Sequence, residues 1–332
     1  MWSTNTHRRR GGILTAVVVA VVTAVMVASE EEVKDAANSY SPCVRPMGAK
    51  CEPESKLSDK IVGGHIAEPG STPWLVSLQD THYAEPVPFC GGTLLSHSWV
   101  LTSATCVYSY QKNYANIQVV LGEYNMAEID GFERFRRLSL IMLHPDYDPY
   151  THNADIAILR LSFYVLYSER IDVLKLPAWK FEEERRGEQL MAEQGDCEED
   201  KGCGGNNNNL YTIAGWGRVS ETGLFSSVVR KAQIPLVAQE ICQEVYAEFT
   251  DTMICAGNLT HGGFDSCQGD MGGALATSDG YIIGVSSWSI GCGRPGYPGV
   301  YTDVTKMIDW ICSVTDKSER HASDDLVSCR HD

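Results

Sequence analysis

Positive charge is scarce in this sequence: 27 Lys and Arg stand against 43 Asp and Glu in 332 residues, a formal net charge of −16. Nucleic acid and anionic surfaces select for basic faces, so neither is expected as a partner. The deficit is uneven, because positions 1–60 hold 8 basic and 7 acidic residues and leave 19 against 36 for the rest. Histidine is sparse as well. The nine present, His152 among them, form no group with metal-ligand spacing, so no zinc site is read. The apolar run from Ile13 to Ala28 has 16 residues, short of the roughly 20 that a spanning helix needs. With 43% hydrophobic residues, a packed core is attainable and global disorder is excluded.

What is present at the N-terminus reads as an export signal. Arg8, Arg9 and Arg10 precede the apolar run, and Val27-Ala28-Ser29 before Glu30 offers small residues for cleavage, giving a signal peptide over 1–29. The other reading is an uncleaved anchor at 13–28, the one route to a membrane. In either case the chain enters an oxidising compartment, where its twelve cysteines can pair, and a secreted, extracellular location is expected. Residues 30–60 are polar, hold Cys43 and Cys51, and show no periodicity, as in a propeptide or linker.

From Ile61 onward, short apolar runs alternate with turn residues: Trp74 to Leu78, Gly92 to Leu101, Ile117 to Leu121, Ile156 to Leu161, Tyr211 to Trp216 and Tyr281 to Trp288. Many short strands separated by Gly and Pro predict an all-β barrel or sandwich rather than parallel βαβ units. Val304, Met307, Ile308 and Ile311 recur at helical spacing and predict one C-terminal helix. The stretch 180–209 differs in kind. Nine acidic residues fall between Glu182 and Asp200, followed by Cys203, two glycines and four asparagines, a composition expected of a long exposed insertion.

Five motifs occur in order: Lys60-Ile61-Val62-Gly63-Gly64, Leu101-Thr102-Ser103-Ala104-Thr105-Cys106, Asp155-Ile156-Ala157-Ile158-Leu159, Gly215-Trp216-Gly217, and Asp265 through Gly273. Together they resemble the landmarks of the chymotrypsin/trypsin family of serine proteases. The resemblance implies two antiparallel six-stranded β-barrels with a cleft between them, in a domain over 61–316 followed by an extension at 317–332. It also implies a zymogen: a trypsin-like protease would cut after Lys60, and the freed Ile61 amine would pair with Asp270.

The family's chemistry requires a Ser hydroxyl to attack, a His imidazole to move the proton and a buried carboxylate to orient the imidazole. This sequence matches the family at the carboxylate, Asp155. Where the family reads Leu-Thr-Ala-Ala-His-Cys, Thr105 stands in the base position; where it reads Gly-Asp-Ser-Gly-Gly, Met271 stands in the nucleophile position. A Thr hydroxyl has no basicity near neutral pH and a Met thioether has no proton to lose. Ser103 and Ser266 are close in sequence, but no His is near either one. The expected protein is therefore an inactive homologue that binds other proteins, as a cofactor or regulator in an extracellular protease cascade. The alternative is an active endopeptidase cleaving after Arg or Lys with a non-standard catalytic arrangement.

Two structural expectations follow from the replacements. Asp155, deprived of an imidazole, should bond the Thr105 or Ser287 hydroxyl, because an unpaired buried carboxylate is costly. Met271 should fill space that a smaller Thr105 leaves in the cleft. By resemblance, Asp265 is a pocket-floor acid selecting Arg or Lys, Ser287-Trp288-Ser289 an edge that pairs with an extended peptide, Gly299 a pocket wall, and Gly269 with Met271 the source of oxyanion-hole amides. Ser289 replaces a glycine usual in trypsin-like members and should narrow the pocket mouth.

No cofactor is required on this reading. A structural Ca²⁺ is possible at Gly122 to Phe135, which resembles the calcium loop of trypsin, with Glu123, Asn125, Glu128, Asp130 and Glu133 as oxygen donors. The resemblance pairs Cys90 with Cys106, Cys242 with Cys255 and Cys267 with Cys292. Cys43, Cys51, Cys197, Cys203, Cys312 and Cys329 remain, with 15 possible connectivities, near-neighbour pairing being the simplest. Asn258-Leu259-Thr260 is a glycosylation sequon on an expected loop.

Overall fold

In the computed structural model, residues 64–177, 210–315 and 329 are described. The signal or anchor at 1–29, the linker with Lys60 and Ile61, the insertion at 180–209 and the extension other than Cys329 lie outside them. The description below concerns the compact unit that contains these residues.

The first barrel is built from β2 (Leu75–Asp80), β3 (Val87–Leu94), β4 (Trp99–Thr102), β5 (Ile117–Leu121), β6 (Arg134–Leu143) and β7 (Ala157–Leu161), closed in the order β2-β3-β4-β7-β6-β5. The apolar run Gly92 to Leu101 is thus two strands, divided at a Ser96-His97-Ser98 turn. The second barrel comprises β8 (Leu210–Gly215), β9 (Arg230–Val237), β10 (Met253–Ala256), β11 (Ala274–Ala276), β12 (Ile282–Trp288) and β13 (Gly299–Asp303). Its ring closes because β9 pairs with β8 as well as with β10, and the short β1 (His65–Ile66) adds to β9 from outside.

Strand β4 is buried throughout and β7 everywhere except at Arg160, which is why they read as mostly apolar runs. Val100, Leu159 and Leu161 point into the first barrel's core with Val76, Leu78, Val119 and Leu121. Their alternates Trp99, Leu101, Ile156 and Ile158 form a second core with Ala274, Ile282 and Val285 of the other barrel. This two-sided burial holds the cleft-forming ends of the barrels together.

The expected C-terminal helix begins as a 3-10 turn over Val304–Met307 and continues as an α-helix over Ile308–Thr315, with Val304, Met307 and Ile311 in the inter-barrel core. Among the described residues four disulfides are formed: Cys90–Cys106, Cys242–Cys255, Cys267–Cys292 and Cys312–Cys329. The last ties residue 329 back to the helix, and both of its sulfurs join the inter-barrel core. No helix among the described residues is long and apolar enough to cross a membrane.

Candidate active site

Separate pieces of chain from both barrels build the site around one carboxylate. A short helix, α1 (Ala104–Val107), follows β4; Ser103 caps it by accepting from the Cys106 N–H, and the Cys90–Cys106 bond pins it to β3. This orients Thr105 toward Asp155, the residue two positions before β7. Ser287 arrives from β12, where the pairing with β13 slips between Ser286 and Trp288. Met271 precedes β11.

Asp155 is fully buried. Oδ1 accepts from the Thr105 backbone N–H at 2.7 Å, and Oδ2 accepts from the Ser287 hydroxyl at 2.6 Å and the Thr105 hydroxyl at 3.0 Å. Burial pushes its pKa up, and the hydrogen bonds oppose that shift. Both hydroxyls expected as partners of this carboxylate are therefore engaged.

Sequence reasoning missed two further members of the site. The Thr105 Oγ1 lies 2.9 Å from the Tyr147 hydroxyl and 3.2 Å from His152 Nδ1. The Thr105 hydroxyl donates to Asp155 Oδ2, which leaves its oxygen to accept from these neighbours. His152 Nδ1 is 3.9 Å from Asp155 Oδ2, and its ring stacks at 28° on Trp288. The space beside Thr105 is occupied by these two side chains. Met271 is half-buried and packs against the first barrel's core. The lack of a nearby His in sequence does not hold in space: His152 and Thr105 are 47 positions apart. The visible signal was its place three residues before Asp155.

His152 and Ala154 both hold positive φ, 57° and 48°, a conformation that costs a non-glycine residue on the order of 1 kcal/mol or more. The turn is held by the second barrel: Thr252 accepts from the Ala154 N–H at 3.0 Å and donates to Asn153 at 3.0 Å.

Beyond this cluster, Gly269 has φ of +97°. Among the described residues, neither its amide nor that of Met271 donates to a protein acceptor. Asp265 is 1% exposed; Oδ2 accepts from the Gly293 N–H at 3.0 Å, Oδ1 has no partner, and burial raises its pKa to about 7. A Cβ on Gly299 would come within 2.4 Å of Asp265 Oδ1, so only glycine fits against that oxygen. Ser289 turns its hydroxyl onto Gly291 O at 2.6 Å, back into its own loop.

Asp270 accepts from the Gly217 N–H at 2.7 Å and the Cys267 N–H at 3.1 Å, and burial raises its pKa to about 6. Among the described residues no cation pairs with it.

The carboxylates of the loop over residues 122–135 divide. Glu133 accepts from the Asp130 and Gly131 amides, both at 2.9 Å. Burial, with the charges of Glu133 and Asp130, lifts Glu123 to about 7. Asp130, expected among the donors, is held instead by Arg170, whose guanidinium lies over the Phe132 ring. Asn125 and Glu128 are joined by a backbone hydrogen bond, Glu128 N–H to Asn125 O at 2.9 Å. Asn258 caps its own loop by accepting from the Thr260 and His261 amides.

Two closed antiparallel barrels that meet at a buried carboxylate held by two hydroxyls define the architecture of a two-barrel serine protease. The trypsin domain family matches residues 61–311. The chain is 37% identical to Trypsin-1 of Astacus astacus over 76% of its own length and 98% of that protein. It is 36% identical to Anionic trypsin of Bos taurus over 80% of its length and 93% of that protein, and 37% identical to Trypsin II-P29 of Gallus gallus over 76% and 88%. The chain belongs to the trypsin family.

Proposed function

We propose that this member of the family is an exported, catalytically silent homologue that works by binding a polypeptide in its cleft. The observation that carries this reading is the saturation of Asp155 by Thr105 and Ser287. The carboxylate that would orient an imidazole is satisfied by neutral donors, with a hydroxyl in the base position and a thioether in the nucleophile position. Loss of a triad member costs about 10⁴-fold or more in turnover in this family.

The binding parts support the same reading. The free Oδ1 of Asp265 suits an Arg or Lys side chain, and Ser287, Trp288 and Ser289 offer an edge to an extended peptide. Cleavage after Lys60 by a trypsin-like protease would supply an Ile61 amine to Asp270, whose buried charge otherwise has only amide partners. The partners that fit are extracellular proteases or their substrates, with the protein as cofactor or regulator of a cascade. Glu123 and Glu133 are the carboxylates that would hold a structural Ca²⁺ in the calcium loop.

The proximity of His152 to Thr105 and Asp155 favours a second reading, a working endopeptidase with a hydroxyl, an imidazole and a carboxylate in a new order. Its difficulty is chemical, because the Thr105 hydroxyl already donates to Asp155 Oδ2 rather than to an imidazole nitrogen.

The test is an assay on protein cut after Lys60 at an engineered site by a removable protease of different specificity, using Arg- and Lys-amide substrates and a fluorophosphonate probe. Silence supports the binding role. Turnover that persists through purification and disappears in His152→Ala establishes the second reading.

A further inference from the structure

The first barrel carries a second concave surface, formed apart from the cleft. A groove of about 410 Å³ is lined by Gln118, Phe135, Arg136, Arg137, Ser162 and Phe163. Phe135 is 46% exposed and Phe163 75%, and Tyr164 and Leu166, next along the chain, are 64% and 68% exposed. Monomeric surfaces seldom gather this much aromatic area in one place without use for it.

The arginines are held by neutral groups. Arg136 donates from Nε and Nη2 to Tyr164 O at 3.3 and 3.1 Å and from Nη1 to Phe135 O at 2.9 Å. Arg137 donates from Nη1 to Thr81 Oγ1 and Ala115 O, both at 3.0 Å. Each guanidinium is thus fixed in orientation while keeping its full charge. N–H groups are left over, one on each terminal nitrogen of Arg136 and the Nε and Nη2 hydrogens of Arg137. Fixed guanidinium donors beside apolar walls match a carboxylate adjoining an aromatic or aliphatic side chain.

We propose that this groove docks an acidic polypeptide segment bearing aromatic or aliphatic side chains. Charge complementarity selects the occupant: two unpaired guanidinium groups line it in a chain whose net charge is −16. The mode is side-chain recognition. Strand β6, which supplies Phe135, Arg136 and Arg137, pairs with β5 over residues 134–137 and with β7 over residues 138–143; at the groove the Ser162 N–H also donates to Arg137 O at 2.8 Å, and what faces the groove is side chain. The exposed phenylalanines distinguish a peptide from a polyanion, which would need only the charge. The inference does not depend on the state of the cleft.

Fluorescence anisotropy on the full chain tests it, with a labelled peptide alternating Glu and Phe and a control in which Gln replaces Glu. The acidic peptide is expected to bind with a Kd on the order of micromolar, more weakly as salt rises, and the control not at all. Phe163→Ser and Arg137→Glu, both at exposed positions, should each weaken binding by about tenfold with the thermal midpoint retained.

Equal binding of the Gln control, or unchanged affinity in both variants, overturns the proposal. A heparin fragment that competes for the site while Phe163→Ser has no effect reassigns the groove to polyanions and overturns it too. Binding that appears only once the acidic residues of 182–200 are exchanged for Ser and Gly would overturn it in favour of an occupant within the chain.

Discussion

Thr105 holds Asp155 twice, through its backbone N–H at 2.7 Å and its hydroxyl at 3.0 Å. One residue from the first barrel's helix α1 thereby supplies two of the three hydrogen bonds on a fully buried carboxylate, and Ser287 of the second barrel supplies the third. The carboxylate that the family uses to orient a base serves here as a junction between the barrels.

If that is its role, removing it should damage stability. Asp155→Ala leaves a buried amide and hydroxyls without an acceptor and is expected to cost about 1–3 kcal/mol, read as a lower thermal midpoint. An unchanged midpoint would mean that the cluster contributes nothing to the fold.

Full turnover should require more than His at position 105 and Ser at position 271. Thr105→His with Met271→Ser is expected to recover measurable Arg-amide hydrolysis. An imidazole at 105 must also displace the contacts of Thr105 with Tyr147 and His152. Adding His152→Ala to the pair should therefore raise kcat further, by about tenfold for relief of the misplacement. Equal rates for the double and triple variants would mean that His152 yields without cost.

Ligand binding at Asp265 should switch on with rising pH. Its raised pKa of about 7 leaves the acid largely protonated at pH 6, and a cationic ligand requires the ionised form. Affinity for an aromatic amidine should fall about tenfold for each pH unit below that value and level off above pH 8. Calorimetry across this range is the measurement, and Asp265→Ser should abolish both the binding and its pH dependence.

Stability of the uncut chain should move the opposite way. Asp265, Asp270 and Glu123 have folded-state pKa values of about 7, 6 and 7, above the roughly 4 of unfolded carboxylates. Between those values the folded state binds more protons than the unfolded state, so stability decreases as pH rises from about 4 to 7. Thermal midpoints should be higher at pH 5 than at pH 7.5, and Asp270→Asn should narrow the gap.

Calcium at millimolar concentration should raise the thermal midpoint at pH 7.5 by relieving the repulsion between Glu123 and Glu133. Glu123→Gln should remove the response. Asp130→Asn, at a carboxylate already held by Arg170, should leave it largely in place.

Much of the architecture was legible because burial and periodicity agree. Strands β4 and β7, which feed two cores, announce themselves as mostly apolar runs, and the helix over Ile308–Thr315 follows its spacing. The expected hydroxyl partners of Asp155 could be named because a buried carboxylate must find donors. What could not be read depends on where the chain returns in space. His152 reaches Thr105 through a turn with two positive-φ residues held by Thr252 of the other barrel. Arg170 reaches Asp130 across 40 positions. Phe135 and Phe163 line one groove because β6 and the turn after β7 lie side by side, a proximity that neither local sequence reveals.

The Cys312–Cys329 bond closes a covalent ring of chain spanning a sequence separation of 17. A single backbone cut anywhere inside that ring releases nothing: the two fragments migrate as one band on a non-reducing gel and part only with reductant. Proteolytic nicking after the terminal helix would thus be invisible to size measurements of the intact protein, and the buried sulfurs of the inter-barrel core would keep the severed end in place.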